Sequence, residues 1–119
     1  MPNPHHAPMK KVDCIIRPHK LEEVKTALNE LGITGMTVSE VRGCGSGASE
    51  PNWLGEETLI RLPIRLRLEM IVPDLLVEPI IETILRHANT GQPDDGKIFV
   101  LPYHDAIRIR TEERGEAAL

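Results

Sequence analysis

The chain has 119 residues, a formal charge of −4 and 40% apolar composition. That is enough chain for one domain with a small core, and an acidic balance argues against a general nucleic-acid binder, which shows a basic excess. With one Trp, one Tyr and one Phe, the core has to come from Leu, Ile and Val. No apolar run approaches the roughly 18 residues of a membrane span. The opening MPNPHHAPMKK has no apolar stretch of signal-peptide type, and Cys14 and Cys44 show no metal-ligand spacing. The expected setting is the reducing cytoplasm, without membrane insertion.

In chain order, residues 1–8 carry three Pro and two His without periodicity and read as a flexible tail, with His5 and His6 solvated. Residues 9–119 read as a single domain. KKVDCIIR at 10–17 alternates as a strand with Val12, Cys14 and Ile16 on one face. A helix is predicted over 19–31 from Leu21, Val24, Leu28 and Leu31, with Pro18 at its start and Gly32 at its stop. GMTVSEVRG is a second strand. Residues 43–58 form a long loop with four Gly, and loops of that length inside compact domains tend to be functional.

The strongest periodicity lies in LIRLPIRLRLEMIVP. Leu62, Ile64, Leu66, Leu68, Met70 and Val72 alternate with Arg61, Pro63, Arg65, Arg67, Glu69 and Ile71, a long half-buried strand in which Pro63 suggests an edge or a bulge. A second helix is predicted over 74–89 from Leu76, Ile80, Ile84 and Ala88, with Asp74 as N-cap. Strand KIFVL and a short strand AIRIR follow. The order gives an α+β, ferredoxin-like double split βαβ: one antiparallel sheet with two helices on one face. The other sheet face carries Arg65, Arg67, Glu69, Arg108 and Arg110.

The chemistry concentrates at TGQPDDGK, 90–97. Lys97 opens a strand and Arg108 and Arg110 alternate on another, a cation set suited to phosphate oxygens. Gly96, and likewise Gly43 and Gly45, let backbone N–H groups approach a ligand. Asp94 and Asp95 are open to three roles: a Mg²⁺ site beside phosphates, a turn cap, or a contact with a ribose or backbone group. The competing reading is a plain turn with surface ion pairs. No GxSxG, Walker A, HExxH or CxxC signature is present. His19, His87 and His104 read as surface histidines and Cys14 as core, while Cys44, between two Gly, leaves a redox role conceivable.

Four separated stretches then become specific: KKVDCIIRPHKLEEVKTAL at 10–28, GITGMTVSEVRGCG at 32–45, TGQPDDGKIFV at 90–100 and IRIRTEERGEAAL at 107–119. Together they resemble the PII signal-transduction family, the GlnB/GlnK-like nitrogen regulators, from about Met9 to Leu119. The resemblance implies a compact homotrimer of ferredoxin-like protomers that binds ATP or ADP, with Mg²⁺ as a candidate companion, in the clefts between subunits. It makes 43–58 the T-loop, 90–97 the B-loop and 108–119 the C-loop. Asp95, Gly96 and Lys97 then match a phosphate-binding turn, and Arg108 and Arg110 match phosphate-contacting arginines supplied across the subunit boundary. Thr37 matches an adenine-contacting position, Glu69 one near the adenine, and Gly43 and Gly45 the T-loop root.

Two departures stand out. The family usually has Gly where Asp94 stands, and a T-loop opening Gly-Phe-Gly-Arg-Gln where this chain has Gly43-Cys44-Gly45-Ser46-Gly47. The Arg and Gln tied to phosphate, Mg²⁺ and 2-oxoglutarate are gone, so the usual 2-oxoglutarate response is not expected. The loop has no Tyr to uridylylate. Ser46, Ser49, Trp53 and Glu56 become candidates for a changed target surface facing a transporter or metabolic enzyme. The leading expectation is a non-enzymatic nucleotide sensor. The alternatives are a slow hydrolase with metal on Asp94 and Asp95, and a nucleotide-independent structural or metal-binding trimer.

Overall fold

The structure, a computed structural model, describes residues 8–43, 49–51, 58–60 and 62–119. The element order is β1 (Met9–Ile16), a 3₁₀ turn (Pro18–Lys20), α1 (Leu21–Glu30), β2 (Thr37–Arg42), β3 (Ser49–Pro51), β4 (Thr58–Ile60), β5 (Ile64–Pro73), α2 (Asp74–Ala88), β6 (Gly96–Tyr103) and a 3₁₀ turn (Gly115–Ala118). Four strands form one antiparallel sheet in the order β2-β5-β1-β6. That is the ferredoxin-like arrangement the sequence predicts.

Alternation along the strands decides which face each residue takes. Val12, Cys14 and Ile16 of β1 and Leu68, Met70 and Val72 of β5 point to one face, where they are buried with Val24 and Leu28 of α1 and Val77, Ile80 and Ile84 of α2. Burying each such side chain contributes about 1.5–3 kcal/mol. Cys14 is core, as predicted, and burial pushes its thiol up to about 12.

The opposite face is polar. Directly paired residues share a face, so Asp13, Glu69 and Thr37 form one row and Ile15, Arg67 and Ser39 the next. Asp13 is the buried charge there, 7% exposed. The Arg67 fork answers it, with Nε 3.0 Å from Oδ1 and Nη2 2.6 Å from Oδ2. These hydrogen bonds outweigh burial and hold the Asp13 carboxyl below its ordinary range.

Several local expectations are corrected. The helix predicted over 19–31 opens as a 3₁₀ turn and becomes α-helical at Leu21. Pro73, not Asp74, is the N-cap of α2, and no side chain caps that end; the Asp74 carboxylate instead accepts from Lys10 Nζ at 2.7 Å. Pro63 marks no edge, because β5 starts one residue later and lies between β2 and β1. Part of the predicted 43–58 loop is a short hairpin, Ser49–Pro51 against Thr58–Ile60. AIRIR is not a strand: Ile107 makes an isolated bridge to Arg114, and the chain turns through Glu112 at φ 62°. No helix among the described residues is long and apolar enough to cross a membrane.

Candidate functional site

The predicted residues fall into two groups on opposite edges of the sheet. Thr37 on edge strand β2 pairs with Glu69 on β5, and both line a cleft of about 650 Å³ with Lys11 and Tyr103. Glu116, Ala118 and Leu119 close one side of this cleft, and Arg108 donates to the Leu119 carbonyl at 3.0 Å. Thr37, Glu69 and the last residues of the chain therefore share one cleft, which Arg108 reaches through Leu119 and which neither Arg108 nor Arg110 lines. Glu69 does not stand alone: Lys11 Nζ lies 2.6 Å from its carboxylate and Arg67 Nη2 3.5 Å. The hydrogen bond to Glu69 raises the Lys11 pKa.

The second group sits on the far edge, where β6 begins. Asp95, Gly96 and Lys97 line a separate, mostly apolar cleft of about 440 Å³ between β6 and α2. Gly96 has φ 119°, and a Cβ there would lie 1.7 Å from the Ile15 carbonyl oxygen. The turn lies so close to β1 that only Gly fits. Asp94 has φ 65°, a left-handed conformation that Asp tolerates better than most residues.

Asp95 has an unexpected orientation. Its side chain points back into the turn and accepts four hydrogen bonds. Oδ2 takes the N–H of Thr90 at 2.7 Å and of Gly91 at 3.1 Å. Oδ1 takes the Thr90 hydroxyl and Arg17 Nε, the latter at 3.0 Å. A carboxylate offers about four acceptor positions, and all are filled. The Thr90 contacts come first among the causes that push its pKa well below the usual carboxylate range, with Arg17 and Gly91 adding to them. Of the three roles open to Asp95, the geometry realises the turn cap, and it leaves no lone pair for a metal or a ribose hydroxyl.

The cations stand apart from this carboxylate. Among the described residues Lys97 and Arg110 are exposed and their side chains have no hydrogen-bond or ion-pair partner. Gly43 directly follows β2 and donates its N–H to the Pro63 carbonyl at 3.2 Å. Gly45, Ser46, Trp53 and Glu56 lie outside the described residues, as do Cys44 and the tail histidines; Ser49 opens β3. The C-terminal segment is pinned by Asp105, which accepts from Arg114 Nε at 3.0 Å and from Gly115 N–H at 3.2 Å. Burial would raise its carboxyl, but Arg114 and the Ala106 and Gly115 amides outweigh it and hold the pKa at about 2.

Sequence reading missed Arg17, Thr90 and Lys11. Thr90 was legible as a hydroxyl residue just before a turn. Arg17 is 78 residues from Asp95, and no local pattern connects them.

The family model described as Nitrogen regulatory protein P-II matches residues 9–113. Nitrogen regulatory protein P-II 1 of Escherichia coli strain K12 is 46% identical over 112 residues, covering 93% of this chain and 100% of that protein. The Salmonella typhimurium protein of the same name matches equally well. Among solved structures, Arabidopsis thaliana PII bound to citrate is 41% identical with a TM-score of 0.78, covering 95% of this chain and 94% of that one. A B. subtilis GlnK–ATP complex is 37% identical with a TM-score of 0.79, covering 96% of this chain and 98% of that one.

Proposed function

The chain belongs to the PII family of nitrogen regulatory signalling proteins, and we propose that it is a non-enzymatic cytoplasmic sensor of adenine nucleotides, ATP or ADP. In this reading the phosphates bind at Gly96, Lys97, Arg108 and Arg110, and the adenine near Thr37 and Glu69. Neither edge of the sheet carries the whole set, so two copies of the chain build each site, within a homotrimer. Residues 43–58 then report nucleotide occupancy to a protein client, a transporter or an enzyme, by shifting between target-binding and free populations.

The observation that carries this reading is that the Lys97 and Arg110 side chains have no acidic partner among the described residues, while Asp95, two residues before Lys97, is spent inside its own turn. Lys97, beside the glycine-shaped backbone of Gly96, and Arg110 on the C-terminal segment suit an anion from outside, Arg as a planar fork and Lys as a point charge. The same saturation counts against a hydrolase with a metal on Asp95. Asp94 remains the acidic group beside the phosphates and gives Mg²⁺ a place in the ligand's charge balance.

Titration calorimetry with ATP, ADP and AMP, each with and without Mg²⁺, tests the reading. Micromolar binding that Lys97→Ala abolishes is the expected result. Silence with every nucleotide, or sustained phosphate release that disappears in Asp95→Ala, overturns it.

A further inference from the structure

We propose that Arg17 is a positioning residue for ligand binding, the strut that holds the turn 90–97 against the sheet in its binding shape. The ligand half of this inference rests on the nucleotide reading above; the strut itself does not.

The turn joins the end of α2 to the start of β6, and its other side-chain hydrogen bonds are local. Asp95 reaches back to Thr90 and Gly91, Asn89 Oδ1 accepts from the Gly91 amide at 2.7 Å, and Thr90 Oγ1 accepts from the Gln92 amide at 3.3 Å. Such contacts shape the turn but do not fix it to the body of the protein. Arg17 does. Its Nε donates to Asp95 Oδ1 at 3.0 Å and its Nη2 to the Pro93 carbonyl at 2.6 Å. One planar guanidinium thus bridges two points of the turn with a single rigid fork.

The base of the strut is fixed too. Arg17 follows directly on Ile16, which pairs with Gly96 at the last rung between β1 and β6. The Arg17 carbonyl accepts from the Lys20 amide at 3.0 Å, which ties it into the 3₁₀ turn. The Arg17 and Asp95 side chains are 24% and 22% exposed, so their contact is sheltered from full solvent screening.

What the strut holds is a costly backbone. Asp94, at φ 65°, lies between the two residues Arg17 grips, and Gly96, at φ 119°, follows directly. Residues in such conformations persist when the surroundings over-determine them. Releasing Arg17 lets Asp94 relax toward ordinary φ values and swings the Gly96 amide and Lys97 away from their places. Arg17 need touch no ligand to set the affinity.

Arg17→Met and Arg17→Lys test this, with ATP titration, amide hydrogen exchange over 90–97 and urea unfolding on each full-length protein. Arg17→Met is expected to weaken ATP binding about tenfold and to speed exchange at the Gly91 and Gln92 amides, with exchange in β1 unchanged. Arg17→Lys is expected to fall between, because one ammonium cannot serve both acceptors in the same geometry. A purely structural role would lower the urea midpoint and leave ATP affinity, measured well below that midpoint, untouched; that result overturns the inference. Unchanged exchange over 90–97 in Arg17→Met overturns it as well. If the unsubstituted protein binds no nucleotide but Arg17→Met still loosens 90–97, the nucleotide reading falls and the strut stands.

Discussion

Replacing Gly96 by Ala sets a methyl group 1.7 Å from the Ile15 carbonyl oxygen and 2.8 Å from its carbonyl carbon. Both atoms are backbone, so no rotamer change relieves the clash; β6 must move away from β1. The rungs nearest the substitution are Ile16 with Gly96 and Ile15 with Lys97. Holding a non-Gly residue in such a conformation costs about 1–3 kcal/mol, and each ladder hydrogen bond lost adds about 1 kcal/mol. A total near 3 kcal/mol corresponds to a fall in Tm of about 10–20 °C for a domain of this size. The other glycines supply the controls. Gly91 has φ 82°, but a methyl group there would meet nothing within 4 Å, and Gly35 has neither obstruction nor positive φ. Gly91→Ala is expected to lose about 1 kcal/mol, and Gly35→Ala to be neutral or slightly stabilising. Thermal unfolding followed by circular dichroism ranks the three. Gly96→Ala melting with the unsubstituted protein, or no less stable than Gly91→Ala, would refute the reasoning that close approach to β1 dictates this residue.

Removing Arg67 leaves Asp13 buried without its fork, so Arg67→Met is expected to cost about 2 kcal/mol at pH 7 in chemical unfolding. Asp13 has a depressed folded-state pKa, so its stabilising contribution is present above the ordinary carboxylate value near 4. The deficit of Arg67→Met should therefore shrink as pH falls through the folded-state pKa, and a pH-independent deficit would contradict the pairing. Asp105, held at about 2, follows the same sign: its contribution is full above about pH 4 and fades toward pH 2. Acid unfolding of Asp105→Asn should be flatter over that interval. In a Cys44→Ser protein, whose one thiol is Cys14, a thiol reagent at pH 8 is expected to react after denaturation and not before, since burial raises that thiol to about 12; rapid native labelling would contradict its place in the core.

The sheet and helices were legible because their periods are clean. Leu68, Met70 and Val72 alternate with Arg67, Glu69 and Ile71, and the structure puts the first set in the core and the second on the polar face. Ile80, Ile84 and Ala88 lie four apart and all are buried. AIRIR misled for a physical reason. Its alternation is real, yet the segment makes only an isolated bridge, and Ile107 and Ile109 are 56% and 97% exposed, so no sheet face among the described residues covers its apolar side. Asp74 misled because cap preference is local, while its carboxylate found Lys10 across the fold. In the candidate site, Gly96 and Lys97 could be read from residue type. The inward turn of Asp95 was legible only in part, since Thr90 and Gly91 are local partners while Arg17, just past β1, is brought near only by the folded chain.

The central claim is that each nucleotide site is shared between two copies, with Lys97 from one and Arg110 from its neighbour. Mixing subunits tests this directly. Lys97→Ala and Arg110→Ala proteins, each expected to lose ATP binding alone, are unfolded, combined in equal amounts and refolded together. In a randomly assembled ring with head-to-tail interfaces, about a quarter of the clefts regain both side chains, and calorimetry should find ATP binding at that reduced stoichiometry with unaltered affinity. Mixtures as silent as the two parents would contradict a site divided between copies.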